Sequence, residues 1–272
     1  MITCDVGING RFGNQMFQYA SLIGIATKQN FEYGINYNLG NNLTWNEFGV
    51  DNTYHLLTLD KAFNLSAKQY STNYPETTEL TSEFHFQEKF FKTVDNVKLR
   101  GYFQTEKYFE HCIDQIKNEF TFKKDIYDTA SSFLKNKRDY ELVSVHIRRG
   151  DYMNLPWHGL CDMKYYNKAL QTHFSDKSYN FIVITDDVDW AKTSFLNGSN
   201  NIFISESHNQ FVDMCIMTLC DHNIIANSSF SWWGSWLNSN PNKKIVAPSV
   251  WFREHLKELN TKDLYQKKWI IV

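Results

Sequence analysis

Two adjacent arginines carry the most specific chemical signal in the chain. Arg148 and Arg149 lie in the segment HIRRGDY (146–152), at the carboxyl end of a predicted strand, ELVSVHI (141–147). Guanidinium groups keep their charge and pair bidentately with phosphate oxygens. At the carboxyl end of a strand in a parallel sheet, where such sheets bind ligands, these arginines favour a diphosphate. A surface cluster of Arg–Asp salt bridges is the alternative.

A second candidate loop is Asn227-Ser228-Ser229, between a predicted strand over 223–226 and a helix that begins near Phe230. Serine hydroxyls and the free backbone N–H groups at a helix N-terminus bind anions, so this loop predicts a second contact with the same phosphates. Ordinary N-capping by the serines is the alternative, and the two roles are compatible.

A third loop, TDD (185–187), follows a predicted strand over 180–185. An aspartate at such a strand end, here Asp186, accepts hydrogen bonds from a ribose hydroxyl or a base N–H, but aspartates there also cap helices, so both interpretations stay open. The loop GRFGNQ (10–15) has two glycines yet matches neither Gly-x-Gly-x-x-Gly nor a Walker loop. Its composition alone indicates a tight turn.

Signatures of other chemistries are missing from the sequence. Neither Gly-x-Ser-x-Gly nor His-Glu-x-x-His occurs, and Asp-x-Asp, a common manganese-binding triplet, occurs only at 187–189, where we predict the start of a helix. No metal is therefore expected. Trp232, Trp233 and Trp236 are spaced for one face of a helix, which suits either core packing or a platform for a sugar, with packing favoured.

The elements that position these loops follow an α/β pattern. Strands and helices alternate from about residue 141 onward, which predicts a parallel, Rossmann-like sheet. The N-terminus begins in the same way, with a predicted strand over 2–8 and a helix over 14–28, but periodicity is weak over 30–100. A charged run, KNKRD (135–139), separates the halves, so we predict two α/β domains, 1–140 and 141–272. A single domain is the alternative.

Composition excludes several classes of protein. The chain has 272 residues and a formal net charge of −2, which argues against a general nucleic-acid binder. Its five cysteines are widely spaced, without a Cys-x-x-Cys pair, so neither a disulfide framework nor a zinc site is expected. Neither a signal peptide nor an apolar stretch of about 20 residues occurs, which predicts a soluble cytoplasmic protein. A peripheral membrane contact stays an open alternative.

Taken together, these segments resemble the α-1,2-fucosyltransferases of glycosyltransferase family 11, part of a wider superfamily with the two-domain GT-B fold. The matching segments occur in the family's order: GRFGNQMFQYA (10–20), GYFQ (101–104) followed by KYF (107–109), HIRRGDY (146–152), FIVITDD (181–187), and the block 221–238, which contains IIANSSFSWWG (224–234). They cover nearly the whole chain, and only the stretch from about 30 to 95 has no matching motif.

The resemblance implies an activity. Family members transfer L-fucose from GDP-fucose to the 2-hydroxyl of a terminal β-galactoside, invert the anomeric carbon and need no metal. It further implies that the domain at 141–272 binds the GDP-sugar and that the domain at 1–140 lies on the acceptor side. Surface polysaccharide assembly is the role expected of bacterial members.

The resemblance also assigns roles to individual residues. Arg148 matches the residue that binds the donor's β-phosphate. Arg149 is expected to shape the loop or to help bind the phosphate. His146 and Asp186 match positions near the guanosine. The segment around the diphosphate is matched by Ser228, Ser229 and Phe230, with Asn227 directly before them. Arg11 and Asn14 match a first loop that reaches the reacting centre.

Catalysis by such a site is mainly electrostatic. Cleavage of the fucosyl–phosphate bond leaves negative charge on GDP, so a fixed guanidinium at the leaving phosphate stabilises the transition state more than the ground state. Arg148 is our candidate for that role. The base that takes the acceptor proton is open: Asp151 and His222 are candidates, either of which can be structural, and the departing phosphate can itself accept the proton.

Two alternatives to this function stay open. One is a transferase of the same superfamily that acts on a different hydroxyl or on protein. The other is a lectin-like protein that binds glycans without a nucleotide and catalyses nothing.

Overall fold

The computed structural model describes the chain except for residues 9, 39–56, 71, 80–83, 196–199 and 257. Contacts divide it into two compact units, one made of Met1–Phe122 and Glu258–Gln266, the other of Lys123–Lys257 and Lys267–Val272. The contact division therefore falls before a helix, Lys124–Leu134, that we had placed in the first domain, because this helix packs against a helix of the second unit, Gln210–Leu219.

The first unit is built on a parallel sheet. Its strands are β1 (Ile2–Cys4), β2 (Tyr33–Ile35), β3 (Lys68–Gln69), β4 (Glu76–Thr78) and β5 (Lys98–Arg100), in the order β3-β2-β1-β5-β4. Its helices are α1 (Phe12–Gln29), α2 (Leu59–Ala62) and α3 (Ile113–Glu119). Strands of two or three residues leave little periodicity in a sequence, which explains why the pattern is weak at β2, β3, β4 and β5.

The second unit contains a longer parallel sheet. Its strands are β6 (Glu141–Ile147), β7 (Tyr179–Thr185), β8 (Ile202–Ile204), β9 (His222–Ile224), β10 (Ile245–Ala247) and β11 (Ile270–Ile271), in the order β11-β10-β9-β6-β7-β8. Its helices are α4 (Lys124–Leu134), α5 (Met163–His173), α6 (Val188–Ser194), α7 (Gln210–Leu219) and α8 (Ser229–Trp236). The predicted α/β class is confirmed.

Several element boundaries differ from the prediction, among them those of the first strand and of the helix after β7. The first strand ends at Cys4 instead of residue 8, because the chain turns over 5–8, where Gly7 has a φ of 107° that only glycine adopts readily. For the helix after β7, the alternation of strands and helices predicts the range 190–196. The helix begins earlier, at Val188, and residue 196 lies outside the described residues.

Apolar side chains of β6, β7 and α5 form the centre of the second unit's core. Five fully buried side chains pack together there: Val143, Val145 and Ile147 of β6, Val183 of β7 and Tyr166 of α5. Strands buried on both faces lose the alternation of polar and apolar residues, which explains the continuous apolar run 181–184 in β7.

The tryptophans of α8 belong to this unit's interior. Trp232 and Trp233 are fully buried and Trp236 is 5% exposed. Their ring centroids lie 5.0 to 6.3 Å apart, so they pack mainly on one another. Core packing is confirmed, and the alternative of a sugar platform is wrong, because no face of these rings is open to a ligand.

No helix in the described part of the chain is both long enough and apolar enough to cross a bilayer. The cytoplasmic location and the peripheral membrane contact stay predictions. All five cysteines are free thiols, and Cys4, Cys215 and Cys220 are buried.

Replacement of Gly24 in α1 by a larger residue should destabilise the protein. A Cβ there would overlap the carbonyl oxygen of Tyr108 and lie 2.8 Å from the Cα of Phe109. Helix propensity alone favours alanine over glycine by about 1 kcal/mol, so Gly24→Ala tests which effect dominates. We expect overpacking to win and the free energy of unfolding to fall by about 1–3 kcal/mol in urea titrations. Gly159→Ala, whose nearest neighbour would be 4.0 Å away, is the control. A stabilised Gly24→Ala variant would contradict the packing described.

Candidate active site

Three neighbouring strands of the second unit deliver the predicted loops to one edge of the sheet. β6 lies between β7 and β9, all are parallel, and Ile147 pairs with Thr185 while Val145 pairs with Ile224. The residues that follow these strands therefore emerge side by side. The arginine loop (148–151), Asp186 and Asn227 are brought together in this way, as the sequence predicted.

Arg148 is held between two carboxylates. Its Nη2 donates to Asp151 Oδ1 at 2.6 Å and its Nη1 lies 2.8 Å from Asp186 Oδ2. The guanidinium carbon also lies 5.2 Å from the centre of the Tyr152 ring. These partners fix the direction of the guanidinium, while the side chain keeps 20% of its surface exposed.

The two aspartates after β7 have separate roles. Asp187 caps α6, accepting the N–H of Trp190 at 3.2 Å, and its Oδ2 accepts from Arg149 Nε at 3.0 Å. Asp186 instead anchors the arginine loop, since its Oδ1 accepts the backbone N–H groups of Arg149 at 2.8 Å and Gly150 at 3.2 Å. The cap interpretation therefore applies to Asp187 and not to Asp186.

Arg149 points toward α6 and supports the loop. Its guanidinium carbon lies 4.1 Å from the centre of the Trp190 ring, in cation–π geometry. The next residue must be small, because a Cβ on Gly150 would lie 2.5 Å from Asp186 Oδ2. Trp190 and Tyr152, which orient the two guanidiniums, were missed at the sequence level, where their type and position fit ordinary packing equally well.

His146 lies beneath the arginine loop as a buried, neutral ring. It is 4% exposed, and its ring centre is 5.3 Å from that of Phe230 in α8. Burial lowers the pKa of His146 to about 3, and the charge of Arg148 acts in the same direction. The side chain can therefore offer hydrogen bonds or a packing surface but carries no charge near neutral pH.

The loop before α8 divides its functions between side chain and backbone. Asn227 Nδ2 donates to the carbonyl oxygens of Gly159 at 2.9 Å and Trp251 at 2.8 Å, so this amide ties three chain segments together. Ser228 is the N-cap residue of α8, yet its side chain makes no capping hydrogen bond. Ser229 and Phe230 are half-buried in the first turn, which leaves a helix N-terminus of the kind that binds anions.

His222 is not at this edge. It begins β9, pairs in register with Val143 near the opposite end of β6, and is 5% exposed. Its Nε2 lies 3.0 Å from Glu141 Oε2, and its Nδ1 accepts the N–H of Lys244 at 3.0 Å. The hypothesis that His222 is the base is wrong, because the parallel strand carries it to the amino edge of the sheet.

The first unit places Arg11 and Asn14 at the start of α1. Arg11 is the exposed N-cap residue, and Asn14 is half-buried in the first turn. Gly10, with φ of 105°, approaches so closely that a Cβ would lie 2.9 Å from the Cβ of Asn14. Asn14 Oδ1 accepts from Gln104 Nε2 at 2.9 Å, so the segments GRFGNQ and GYFQ are in contact.

The described residues contain no cluster of three His, Cys, Asp or Glu side chains suited to a metal ion. Independence from metal stays a prediction, because a metal can also be held by the substrate's own phosphates.

Comparison with known proteins identifies similar sequences. Residues 1–272 match the family model described as Glycosyl transferase family 11. An alpha-1,2-colitosyltransferase of Escherichia coli is 31% identical, with 96% of both chains covered. The O-antigen biosynthesis glycosyltransferase WbnK of Escherichia coli is 29% identical over 94% of this chain and 97% of that one. Galactoside alpha-(1,2)-fucosyltransferase 1 of Leontocebus fuscicollis is 22% identical over 96% of this chain and 73% of that one.

Solved structures show the same fold. Fucosyltransferase NodZ from Bradyrhizobium superimposes with a TM-score of 0.53 at 10% identity, covering 86% of this chain and 91% of that one. POFUT1 in complex with GDP gives a TM-score of 0.54 at 11% identity, covering 90% and 97%. The GT-B type of α/β fold expected from the resemblance is thereby confirmed.

The buried neutral His146 should make the protein sensitive to acid. Because its pKa in the folded state, about 3, lies below its ordinary value of 6.5, its contribution to stability is present above pH 6.5 and is lost as the pH falls toward 3. We expect this group alone to cost about 1.4 kcal/mol of unfolding free energy per pH unit in that window. In urea titrations from pH 7 to 4.5, His146→Gln should show a flatter dependence than the wild type. The exposed His255→Gln should not, and equal slopes in all three proteins would contradict the assignment.

Proposed function

The chain belongs to glycosyl transferase family 11 and is a glycosyltransferase, and from this premise we propose that it moves L-fucose from GDP-fucose to the 2-hydroxyl of a terminal β-galactoside with inversion. The names of its relatives support the linkage, since they include alpha-1,2-colitosyl and alpha-(1,2)-fucosyl transferases. The second unit would bind the donor, and the first unit would serve the acceptor.

One observation carries the donor assignment. A guanidinium of fixed direction, Arg148, and the N-terminus of α8 follow two adjacent parallel strands at the same edge of the sheet. Tyr152 joins the two loops, because its hydroxyl donates to the carbonyl oxygen of Asn227 at 3.3 Å. A permanent cation beside free helix N–H groups is suited to a diphosphate.

The diphosphate would have to replace a carboxylate partner of Arg148. Asp186 is also bound to two backbone N–H groups, so it is the less exchangeable partner. Asp151 lies within the arginine loop itself, in a short 3₁₀ turn, Asp151–Met153, and we propose it as the partner that yields. We therefore assign Asp151 to holding Arg148 ready before the donor arrives. The departing phosphate is then our candidate for accepting the acceptor proton.

The rest of the mechanism follows from charge. As the bond from fucose to the β-phosphate breaks, Arg148 and the α8 N-terminus would face the negative charge that accumulates on GDP. His146, Asp186, Ser228, Ser229 and Phe230 line or support the same edge and remain our donor-site residues, with Arg149 and Asn227 supporting the loops. Arg11 and Asn14 are proposed to act in the reaction from the first unit.

A colitose donor is the second candidate. The relative that is 31% identical is named as a colitosyltransferase, and colitose is L-fucose without the 3-hydroxyl group. A site that hydrogen-bonds the 3-hydroxyl of fucose rejects colitose strongly, whereas a site that ignores this group accepts both sugars.

The proposed reaction is tested by identifying its product. The protein would be incubated with GDP-fucose, and in parallel with GDP-colitose, and a panel of β-galactosides and other acceptors, with and without EDTA. We expect a 2-linked α-L-fucosyl galactoside, formed equally well in EDTA. A different linkage in the product would contradict the proposed acceptor hydroxyl. A product formed from GDP-colitose but not from GDP-fucose would contradict the proposed donor. Loss of product in EDTA would contradict independence from metal.

Arg148→Ala should abolish transfer without unfolding the protein. Loss of one such donor of positive charge lowers kcat by about 10²–10³. GDP should stabilise the folded wild type by about 2.7 kcal/mol when its concentration is 100 times Kd, and the melting temperature should rise accordingly. This stabilisation should largely vanish in the variant. Arg138→Ala is the control, because Arg138 is exposed, precedes β6 and donates to the carbonyl oxygen of Leu219. Near-normal turnover of Arg148→Ala would exclude the assigned role, and glycan binding without any response to GDP would favour the lectin-like alternative.

A further inference from the structure

An acidic residue follows a strand in each unit and accepts the same pair of hydrogen bonds. In the second unit, Asp186 follows β7 and accepts two consecutive N–H groups of the arginine loop after β6. In the first unit, Glu79 follows β4, and its Oε2 accepts the N–H groups of Tyr102 at 2.7 Å and Phe103 at 2.9 Å. These two residues lie in the turn after β5, the neighbour of β4. Within each unit, a carboxylate thus holds the loop of the adjacent strand.

The resemblance extends to the glycine in each held loop. A Cβ on Gly101 would lie 2.5 Å from the Cβ of Glu79, just as a Cβ on Gly150 would lie 2.5 Å from Asp186 Oδ2. Both loops therefore need glycine where the carboxylate-bearing residue comes closest. Since the arginine loop is the centre of the candidate donor site, the turn over 101–104 is marked as its counterpart in the first unit.

This turn is strained and depends on the carboxylate. Phe103 has φ of 53°, in the left-handed region that residues with a bulky side chain rarely adopt. Strained backbone persists where the surroundings hold it in place, and such sites are often functional. Hydrogen bonds to an ionised carboxylate are stronger than neutral ones, so Glu79 supplies that hold.

Burial of the Glu79 carboxylate costs free energy. It is 5% exposed, and its Oε1 is buried without a hydrogen-bond partner among the described residues. Burial raises its pKa to about 7, against the opposing effects of the two N–H groups and of Lys89. Tyr102 and Tyr108 are the other titratable groups that sense its charge. A carboxylate buried at such cost indicates a role beyond ending a strand.

The held turn presents one side chain toward α1. Gln104, 6% exposed, ends the turn and donates from Nε2 to Asn14 Oδ1 at 2.9 Å. Gln18 of α1 reinforces the arrangement, because its Nε2 donates to the carbonyl oxygen of Gly101 at 3.3 Å. The orientation of Asn14 is therefore determined through Gln104 by the conformation of the turn.

We propose that Glu79 is a positioning residue for sugar transfer, which holds the turn over 101–104 so that Gln104 fixes the side chain of Asn14. The inference rests on the proposed function for its consequence, because Asn14 affects turnover only if the first unit serves the reaction. Its structural half, the hold on the turn, stands on the contacts of Glu79 alone.

The experiment compares Glu79→Gln and Glu79→Ala with a matched control, Glu119→Gln. Glu119 is also buried, at 8% exposure, but it ends α3, and it accepts from the Tyr19 hydroxyl at 2.7 Å and the Ser66 N–H at 3.0 Å, neither of which belongs to the turn over 101–104. Each protein would be assayed for kcat and KM with GDP-fucose and a galactoside between pH 5.5 and 8.5. Amide hydrogen exchange of the peptide over 98–105 would be followed by mass spectrometry.

We expect Glu79→Gln to keep the KM for GDP-fucose but to lose kcat by about 10- to 100-fold, the scale of a slight misplacement. In the wild type, kcat should rise with pH through about 7 as Glu79 ionises, and Glu79→Gln should lack this rise. Glu79→Ala should exchange the 98–105 amides at least about 10-fold faster, whereas Glu119→Gln should match the wild type in kcat and in exchange of this peptide.

Two results would overturn the proposal. Unchanged exchange of the 98–105 peptide in Glu79→Ala would show that the carboxylate does not hold the turn, whatever the activity. Faster exchange with unchanged kcat and pH profile would show that the turn is irrelevant to transfer. If the wild type transfers no sugar from either donor, the proposed function has failed, and the exchange measurement still decides whether Glu79 holds the turn.

Discussion

The carboxylate of Asp186 is the interaction on which the candidate donor site depends. One oxygen accepts two backbone N–H groups of the arginine loop, and the other faces the guanidinium of Arg148. These contacts are possible only because β6 and β7 are parallel neighbours in register, so that both loops emerge at the same level. The carboxylate thereby holds the backbone of the arginine loop and, together with Asp151, orients the guanidinium of Arg148. One guanidinium therefore has a fixed direction, which is what transition-state stabilisation requires.

Much of the second unit could be predicted from the sequence. The strands β6 and β7 have seven residues each and are followed by polar loops, so pattern alone placed the arginines and aspartates at one edge. The edge of the sheet at which a residue of a short strand lies was harder to predict. His222 seemed suitable by residue type, but β9 has three residues, and which end of it faces the arginine loop is decided by its pairing with β6. Pairing is a property of tertiary structure.

The division of labour among neighbouring residues was also beyond the sequence. Asp186 and Asp187 have the same side chain, and only the geometry of the loop assigns one to the arginines and the other to the cap of α6. In the first unit, β4 and β5 have three residues each, too few to show periodicity. Glu79 therefore had no pattern around it. The family motifs GRFGNQ and GYFQ were visible, but not that their side chains Asn14 and Gln104 meet.

The strand-end carboxylates also bear on how such a protein can diversify. Glu79 accepts two main-chain N–H groups of its turn, and Asp186 accepts two main-chain N–H groups of the arginine loop in the same way. Main-chain groups are present whatever side chains the loop carries. Substitutions at exposed loop positions can therefore alter which sugar is recognised while the loop keeps its shape, provided that the acid and the glycine beside it are retained. The sugar that is recognised and the shape of the loop can therefore vary separately.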